Sequence, residues 1–460
     1  MIETDLTKFL PDLIEVENLF KEYGTVDIRH KFTDGGDKIV NTVILNGKAY
    51  AFGAYLGKTD EITRKRLIKR YAKLAVYRTL SRNFNVSLAW GSLTGIRPTK
   101  LAYQEIAESG DFKDFFENTL LVSKEKTALT AEVIESQKGI YETAKNGSDF
   151  FVFIPFCPSR CEYCSFISRD VRGAERLMEE YVPALIREIK ESAKYVKNLR
   201  SIYVGGGTPV ALSDADLDKV LSAIDGINTG VEFTVEAGRP DAITEEKLAI
   251  LKAHGVSRIS VNPQTFNDKT LERIGRNHTG ADVIRAFELA KNDFSVNMDL
   301  IAGLPEETSE IFRDSLEKAI ALNPDNITVH TLCVKKGSRL AETTNGLSAG
   351  DCAKCVDFAH ERLNLSGYNA YYLYRQKYMA GNLENVGYAK RGKACVFNID
   401  TMEEIVSVVA CGANAISKRV KNMGERIERY AAPKDVKTYL QKADIINTEK
   451  ENFFQEAYRP

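Results

Sequence analysis

Three cysteines stand close together in the run Phe156-Cys-Pro-Ser-Arg-Cys-Glu-Tyr-Cys-Ser-Phe166, with the spacing Cys-x3-Cys-x2-Cys. The thiolates of Cys157, Cys161 and Cys164 on one short loop suit three irons of a [4Fe–4S] cluster, and an iron left without a protein ligand can bind and activate a small molecule. The competing readings are a zinc site and buried thiols. Structural zinc wants four closed ligands, and no fourth Cys or His lies nearby. A disulfide would leave one thiol over. The apolar run from Phe150 to Ile154 reads as a strand, so the loop falls at a strand end, where α/β folds bind ligands.

A second constellation follows the next apolar run. Gly205, Gly206 and Gly207 precede Thr208 and Pro209. Glycines without a Cβ let a ligand approach the backbone, and they equally suit a tight strand-to-helix turn. No Gly-Lys-Ser/Thr follows, so this is not a P-loop. Glu236, Gln264 and Asp299 come at or just after the ends of three further apolar runs. Polar groups at the C-terminal ends of parallel strands point to a ligand. Arg276 reads either as a site residue or as a solvated helix end.

These residues need a scaffold. Short apolar runs recur at Phe150–Ile154, Ser201–Val204, Phe233–Glu236, Arg258–Val261, Val296–Leu300 and Ile327–His330. Stretches of helical period separate them: Asp214–Ile224, Glu245–Ala253, Ala281–Ala290 and Ile311–Ala321. That alternation predicts an α/β fold with a parallel sheet, a partial (β/α)6 TIM-type barrel over residues 148–335. Pro183 argues against a straight helix after the cysteine loop. Residues 1–110 read as a small N-terminal α/β domain, with an Asn46-Gly47 hairpin, a basic helix from Glu61 to Arg82 and a loop from Trp90 to Lys100. Residues 111–147 read as a helical connection and 336–460 as a C-terminal domain over the barrel mouth.

Composition narrows the function classes. The 460 residues are 43% apolar and 28% charged, with net charge -1, so no global field points to nucleic acid. No basic, apolar leader pattern opens the chain, and the run from Ile405 to Ile416 is too short to span a bilayer. The expectation is a cytoplasmic protein with no membrane span. Eight cysteines in so long a chain are not a disulfide framework. Cys352 and Cys355 read as two half-buried thiols on one helical face in preference to a metal or redox pair. Cys333, Cys395 and Cys411 read as packing thiols. His330 reads equally as a pocket residue or a satisfied core residue.

The cysteine spacing resembles that of the radical S-adenosylmethionine (SAM) enzymes. By that resemblance the open iron takes the amino and carboxylate groups of SAM. One electron from the cluster then releases a 5′-deoxyadenosyl radical that abstracts hydrogen from carbon. Val204-Gly-Gly-Gly-Thr-Pro209, Gln264-Thr-Phe266, Gly275-Arg-Asn-His-Thr279 and Met298-Asp-Leu-Ile-Ala-Gly-Leu-Pro305 resemble the oxygen-independent coproporphyrinogen III oxidase family. The likeness is strong over residues 149–335 and looser to the C-terminus. Thr94-Gly-Ile-Arg-Pro-Thr-Lys100, Val235-Glu-Ala-Gly-Arg-Pro240 and the run from Tyr374 to Asn385 look most like its longer coproporphyrinogen dehydrogenase group, which has an extra N-terminal domain.

The resemblance implies that Gly206, Gly207, Thr208 and Glu236 meet the methionine end of SAM. Tyr163, Gln264, Arg276 and Asp299 match the family's other SAM contacts. It implies a porphyrinogen-type substrate, a reducing electron-donor protein and oxidative decarboxylation of coproporphyrinogen III to protoporphyrinogen IX in haem biosynthesis. A tetracarboxylate substrate needs cations at the mouth. Arg239 and Arg375 are the leading candidates, with Arg160, Arg169, Arg97 and Lys100 behind them. Two other functions stay open: a haem or porphyrin chaperone on the same barrel, and a radical SAM enzyme with another substrate. The oxidase proper has a fourth Cys where this chain has Phe166, and Tyr and His where it has Phe151 and Phe153. The chaperone has a haem-ligand-like His where this chain has Glu384.

Overall fold

A computed structural model of the chain describes residues 2–165, 168–333, 349–376 and 379–455. Phe166 lies outside the described residues. The chain forms two compact units, Met1–Ala131 with Gly381–Leu383, and Glu132–Ala380 with Glu384–Pro460.

In the first unit Ile2–Thr4 pairs parallel with Ile28–Asp34, and Lys38–Leu45 and Lys48–Tyr55 follow antiparallel. Asn46 and Gly47 close the hairpin with φ of 50° and 75°. Positive φ at both central residues matches the right-handed twist of the strands, which is why this dipeptide makes the turn. The basic helix Glu61–Phe84 starts where the Asp60 side chain accepts from the Thr63 backbone at 3.0 Å. Its apolar face, from Ala72 to Leu80, packs with Val43 and Leu45. The segment after Trp90 is not all loop. Pro98 opens the helix Pro98–Ser109, since a first-turn proline loses no helical hydrogen bond.

The second unit carries six consecutive parallel strands: Ser148–Ile154, Leu199–Gly206, Glu232–Gly238, Arg258–Val261, Ser295–Ala302 and Asn326–Thr331. Helices Asp214–Asp225, Glu245–Ala253, Gly280–Ala290 and Ser309–Leu322 alternate with them, each capped by a Ser or Thr side chain. The helix Glu175–Ser192 after the cysteine loop runs through Pro183 without a break. This is the α/β, TIM-type arrangement expected from the alternation, open and not closed. Residues beyond 335 extend the same sheet at both edges. Tyr368–Tyr374 and Asn385–Lys390 add antiparallel strands beside the sixth strand. Ser407–Cys411 joins parallel to the first strand, followed by Ile416–Lys421 and Arg426–Ala431.

Side chains alternate between the two faces of each strand. Phe150, Val152 and Ile154 form one fully buried set. The opposite face of the parallel strands carries Phe151 and Tyr203, packed with Phe397, and then a polar series: Glu236, Asn297, Asp299, Thr328 and His330. The strands therefore hold a polar interior at their C-terminal ends. Elsewhere in this unit, Lys450 of the last helix is buried against Glu188 at 3.1 Å. Its Nζ also donates to Ser192 Oγ at 2.6 Å and the Ala410 carbonyl at 2.9 Å.

Candidate functional site

The first strand ends at Ile154, and the chain turns through Pro155 into a two-residue ladder of Phe156–Cys157 with Arg169–Asp170. The cysteine loop hangs between these two rungs. Cys157, Cys161 and Cys164 are all free thiols. A turn bond from Cys164 N to the Cys161 carbonyl, 3.1 Å, keeps the last two close. The Glu162 backbone donates to the Ile274 carbonyl at 3.0 Å, and Ser159 Oγ to the Gly275 carbonyl at 3.4 Å. The loop is thus strapped to the segment that leads into Arg276.

Among the described residues no three His, Cys, Asp or Glu side chains converge on one metal ion. An iron–sulfur cluster makes a different demand, because each thiolate holds its own iron. Donors aimed at the sulfurs are the second requirement, since they stabilise electron-rich thiolates. Such donors are present: Thr208 Oγ1 lies 3.7 Å from Cys157 Sγ, and Arg239 Nη1 lies 3.7 Å from Cys161 Sγ. The loop fits a cluster.

The triple glycine has a steric cause. A Cβ on Gly205 would stand 2.8 Å from Glu236 Oε2, and one on Gly207 would stand 2.9 Å from Cys157 Sγ. Gly206 has φ of 117°, which side-chain residues rarely adopt. Gly207 N and Thr208 N each donate at 2.7 Å, to the carbonyls of Ile154 and Phe156. The glycines thus let the second strand close on the cysteine-bearing segment, so the turn reading and the close-approach reading both describe them.

Glu236 lies in the C-terminal half of the third strand with both oxygens engaged. Tyr203 OH donates to Oε1 at 2.5 Å and Gly206 N to Oε2 at 3.2 Å. Burial pushes its carboxyl up to about 7, with those two hydrogen bonds working the other way. Tyr203 was not picked out from the sequence. Its signal is the period of two, which puts it on the face of Gly205, and its ring stacks on Phe397 at 4.2 Å. Asp299 behaves differently. Burial raises its carboxyl, but the nearby His330 ring and the hydrogen bond from Asn297 hold it below the usual range. Asn297 Nδ2 is 2.8 Å away and His330 Nε2 is 3.8 Å away, so His330 belongs to the pocket.

Gln264 is buried with φ of 66°, an uncommon backbone state for a non-glycine. Its N–H donates to the Asp299 carbonyl and its carbonyl accepts from Ile301 N, both at 2.9 Å. Arg276 is buried, not a solvated helix end. Its Nη2 donates to Tyr163 OH at 2.9 Å, and Nη1 to the Asn262 carbonyl at 3.3 Å. Tyr163, between the last two cysteines, packs on Leu271, Ile274 and Leu304.

The two leading arginines are elsewhere than the mouth-facing positions expected of them. Arg239 is 3% exposed; its Nε and Nη2 donate to the two Asp241 oxygens at 2.8 Å each, and its Nη1 turns to Ser159 and Cys161. Gly238, with φ of 54°, ends the third strand and redirects the chain toward the cysteine loop. Arg375, after the strand Tyr368–Tyr374, is also buried. Burial pulls its guanidinium down to about 9, with the Glu384 carboxylate opposing. Arg169 pairs with Asp435 at 2.9 Å. Cys352 and Cys355 are fully and not half buried, and burial pushes their thiols up to about 11 and about 12. Cys395 and Cys411 are buried as well.

An open parallel barrel with a three-thiol loop after its first strand defines the radical SAM class, and the family model "Radical SAM superfamily" matches residues 151–319. Its cofactors are a [4Fe–4S] cluster and SAM. The oxygen-independent coproporphyrinogen-III oxidase-like protein HemZ of Bacillus subtilis is 33% identical over 87% of this chain and 84% of its own length. The chain belongs to that oxidase-like family. The haem chaperone HemW of Haemophilus influenzae is 30% identical over 63% of this chain and 75% of its own length. The coproporphyrinogen III oxidase HemN of Escherichia coli shares the fold, with a TM-score of 0.54 at 21% identity over 71% of this chain and 74% of its own. Among the described residues no helix is long and apolar enough to cross a membrane.

Proposed function

We propose that this chain converts coproporphyrinogen III to protoporphyrinogen IX without oxygen, as a radical SAM oxidoreductase of haem biosynthesis that draws electrons from a reducing protein partner. The observation that carries the reading is the gathering of the cysteine loop and Arg276 with Glu236, Gln264 and Asp299 of the strand C-terminal halves and the turn after the fourth strand. Cys157, Cys161 and Cys164 would hold the cluster. When bound, cluster and SAM would supply a carbon radical able to take hydrogen from a propionate β-carbon; loss of carbon dioxide, with one electron passed to a one-electron acceptor, would then leave a vinyl group.

The remaining residues bind and orient. The N–H groups of Gly206, Gly207 and Thr208 are engaged within the protein. A ligand ammonium would therefore be met by acceptors: the glycine carbonyls, Thr208 Oγ1 and the Glu236 carboxylate. Arg276 and Tyr163 would hold the ligand from the cluster side, and Gln264 and Asp299 from the fourth and fifth strands. With Arg239 and Arg375 buried, the polar interior at His330, Thr328 and Tyr374 is the better candidate surface for the substrate.

The chaperone reading is supported by the likeness to HemW. Against it, Glu384, where the chaperone's His would stand, is fully buried and is no axial ligand for haem. Anaerobic incubation of reconstituted protein with SAM, reductant and coproporphyrinogen III tests the choice. Vinyl-bearing product is expected. An intact cluster giving no vinyl product, together with a stoichiometric Soret complex on haem titration, would transfer the assignment to carriage.

A further inference from the structure

Arg239 lies in the Val235-Glu-Ala-Gly-Arg-Pro240 run, and its placement against the cysteine loop has no part in the proposed binding of SAM or substrate. Both oxygens of Asp241 grip it at 2.8 Å, a bidentate geometry that fixes the plane of the guanidinium. The remaining nitrogen, Nη1, donates to Ser159 Oγ at 3.0 Å and points at Cys161 Sγ at 3.7 Å. His278, its side chain fully buried, stands 3.8 Å from Asp241. Burial and the two nearby arginines pull that imidazole down to about 4, so it adds no charge at neutral pH. Arg276 completes the surround through Tyr163. The loop around Cys161 is thus backed by two buried guanidinium cations against one carboxylate that reaches the surface.

We propose that Arg239 is a positioning residue for the cluster: its Nη1–H, held in place by Asp241, hydrogen-bonds Cys161 Sγ and raises the cluster's reduction potential. A cationic donor stabilises the more electron-rich, reduced cluster more than the oxidised one, and hydrogen bonds to sulfur and local net charge are what set such potentials. The inference rests on Cys161 being a cluster ligand.

The test is a redox titration of the reconstituted full chain, followed by electron paramagnetic resonance without SAM, with iron and sulfide counted per chain. Arg239→Gln should keep the parent's iron content and move the midpoint potential to more negative values. Arg239→Lys, which keeps the charge but not the fork, should move it less. SAM affinity should be unchanged in both. The parent's potential at full iron content in Arg239→Gln would overturn the proposal. So would loss of iron from both variants, which would make Arg239 a structural brace. A parent chain that takes up no cluster would overturn the underlying cysteine assignment instead, so the two failures are told apart.

Discussion

The Arg239–Asp241 pair beside the cysteine loop and the Glu188–Lys450 pair at the last helix each hold a buried cation, yet they stand in different company. Lys450 Nζ donates to Glu188, Ser192 and the Ala410 carbonyl, and Glu188 Oε2 accepts from Tyr439 OH at 2.6 Å and Gly412 N at 2.8 Å. Every one of those partners belongs to the scaffold. Arg239 sends one donor to a cysteine of the candidate cluster site, and its partner Asp241 touches His278. Burial and pairing alone therefore do not mark function. Position does: one network sits at the C-terminal ends of the parallel strands with a candidate cluster ligand inside it, and the other ties three helices to the strand Ser407–Cys411.

The contrast can be broken first at the cysteines. Cys161→Ala should abolish the brown cluster absorbance and all SAM cleavage while the fold survives, because two remaining thiolates hold iron poorly. Iron per chain and deoxyadenosine yield read this out, and a full cluster in the variant would break the comparison. Lys450→Met should do the reverse. It leaves the Glu188 carboxylate buried without its cation and should cost about 3–5 kcal/mol in denaturant unfolding. Iron content and SAM cleavage of the folded protein should stay at parent levels. A changed reduction potential in Lys450→Met would erase the distinction between the two networks.

Glu236→Gln sharpens the comparison from the binding side. Losing a charged acceptor should weaken SAM binding by about 1.5–3 kcal/mol, or roughly ten- to a hundredfold, with the cluster retained. The pH profile carries a sign. The folded carboxyl is raised to about 7, so the carboxylate that an ammonium needs is formed as pH rises through that value. Tyr203 and Asp299 are the titratable groups facing it. Parent affinity should therefore climb between about pH 6 and about pH 7.5, and the Gln variant should stay flat in titration calorimetry. For stability the same shift works oppositely: a raised acid loses folding free energy as pH climbs from the ordinary carboxylate range toward about 7. The smallest effect is expected from Cys352→Ala. Its thiol packs against Gly303, so removal should cost about 1 kcal/mol of stability and no iron.

Much of the scaffold was legible in the sequence. Arg258–Val261 and Glu245–Ala253 have the limits that the sequence pattern gives, the strand because all four residues are buried and the helix because Thr244 caps it. Other strands are longer than their apolar runs, since Ser295, Asn326 and Gly206 pair in the sheet without an apolar side chain. The cysteine loop was legible because one local segment carries it. The neighbours of Arg239 in the cysteine loop were not: Ser159 lies 80 residues away in sequence, and nothing local distinguishes a cation that turns to that loop from one meant for a substrate. Tyr203 was missed for a related reason, as its partner Glu236 sits on the adjacent strand.

The most direct measurement is the electron paramagnetic resonance spectrum of the reduced, reconstituted chain before and after SAM is added. An iron held open by the loop of Cys157, Cys161 and Cys164 should take SAM as a ligand, and the reduced-cluster signal should change on addition in the parent, and more weakly in Glu236→Gln at equal concentration. A fully loaded parent whose signal is indifferent to saturating SAM would contradict the account.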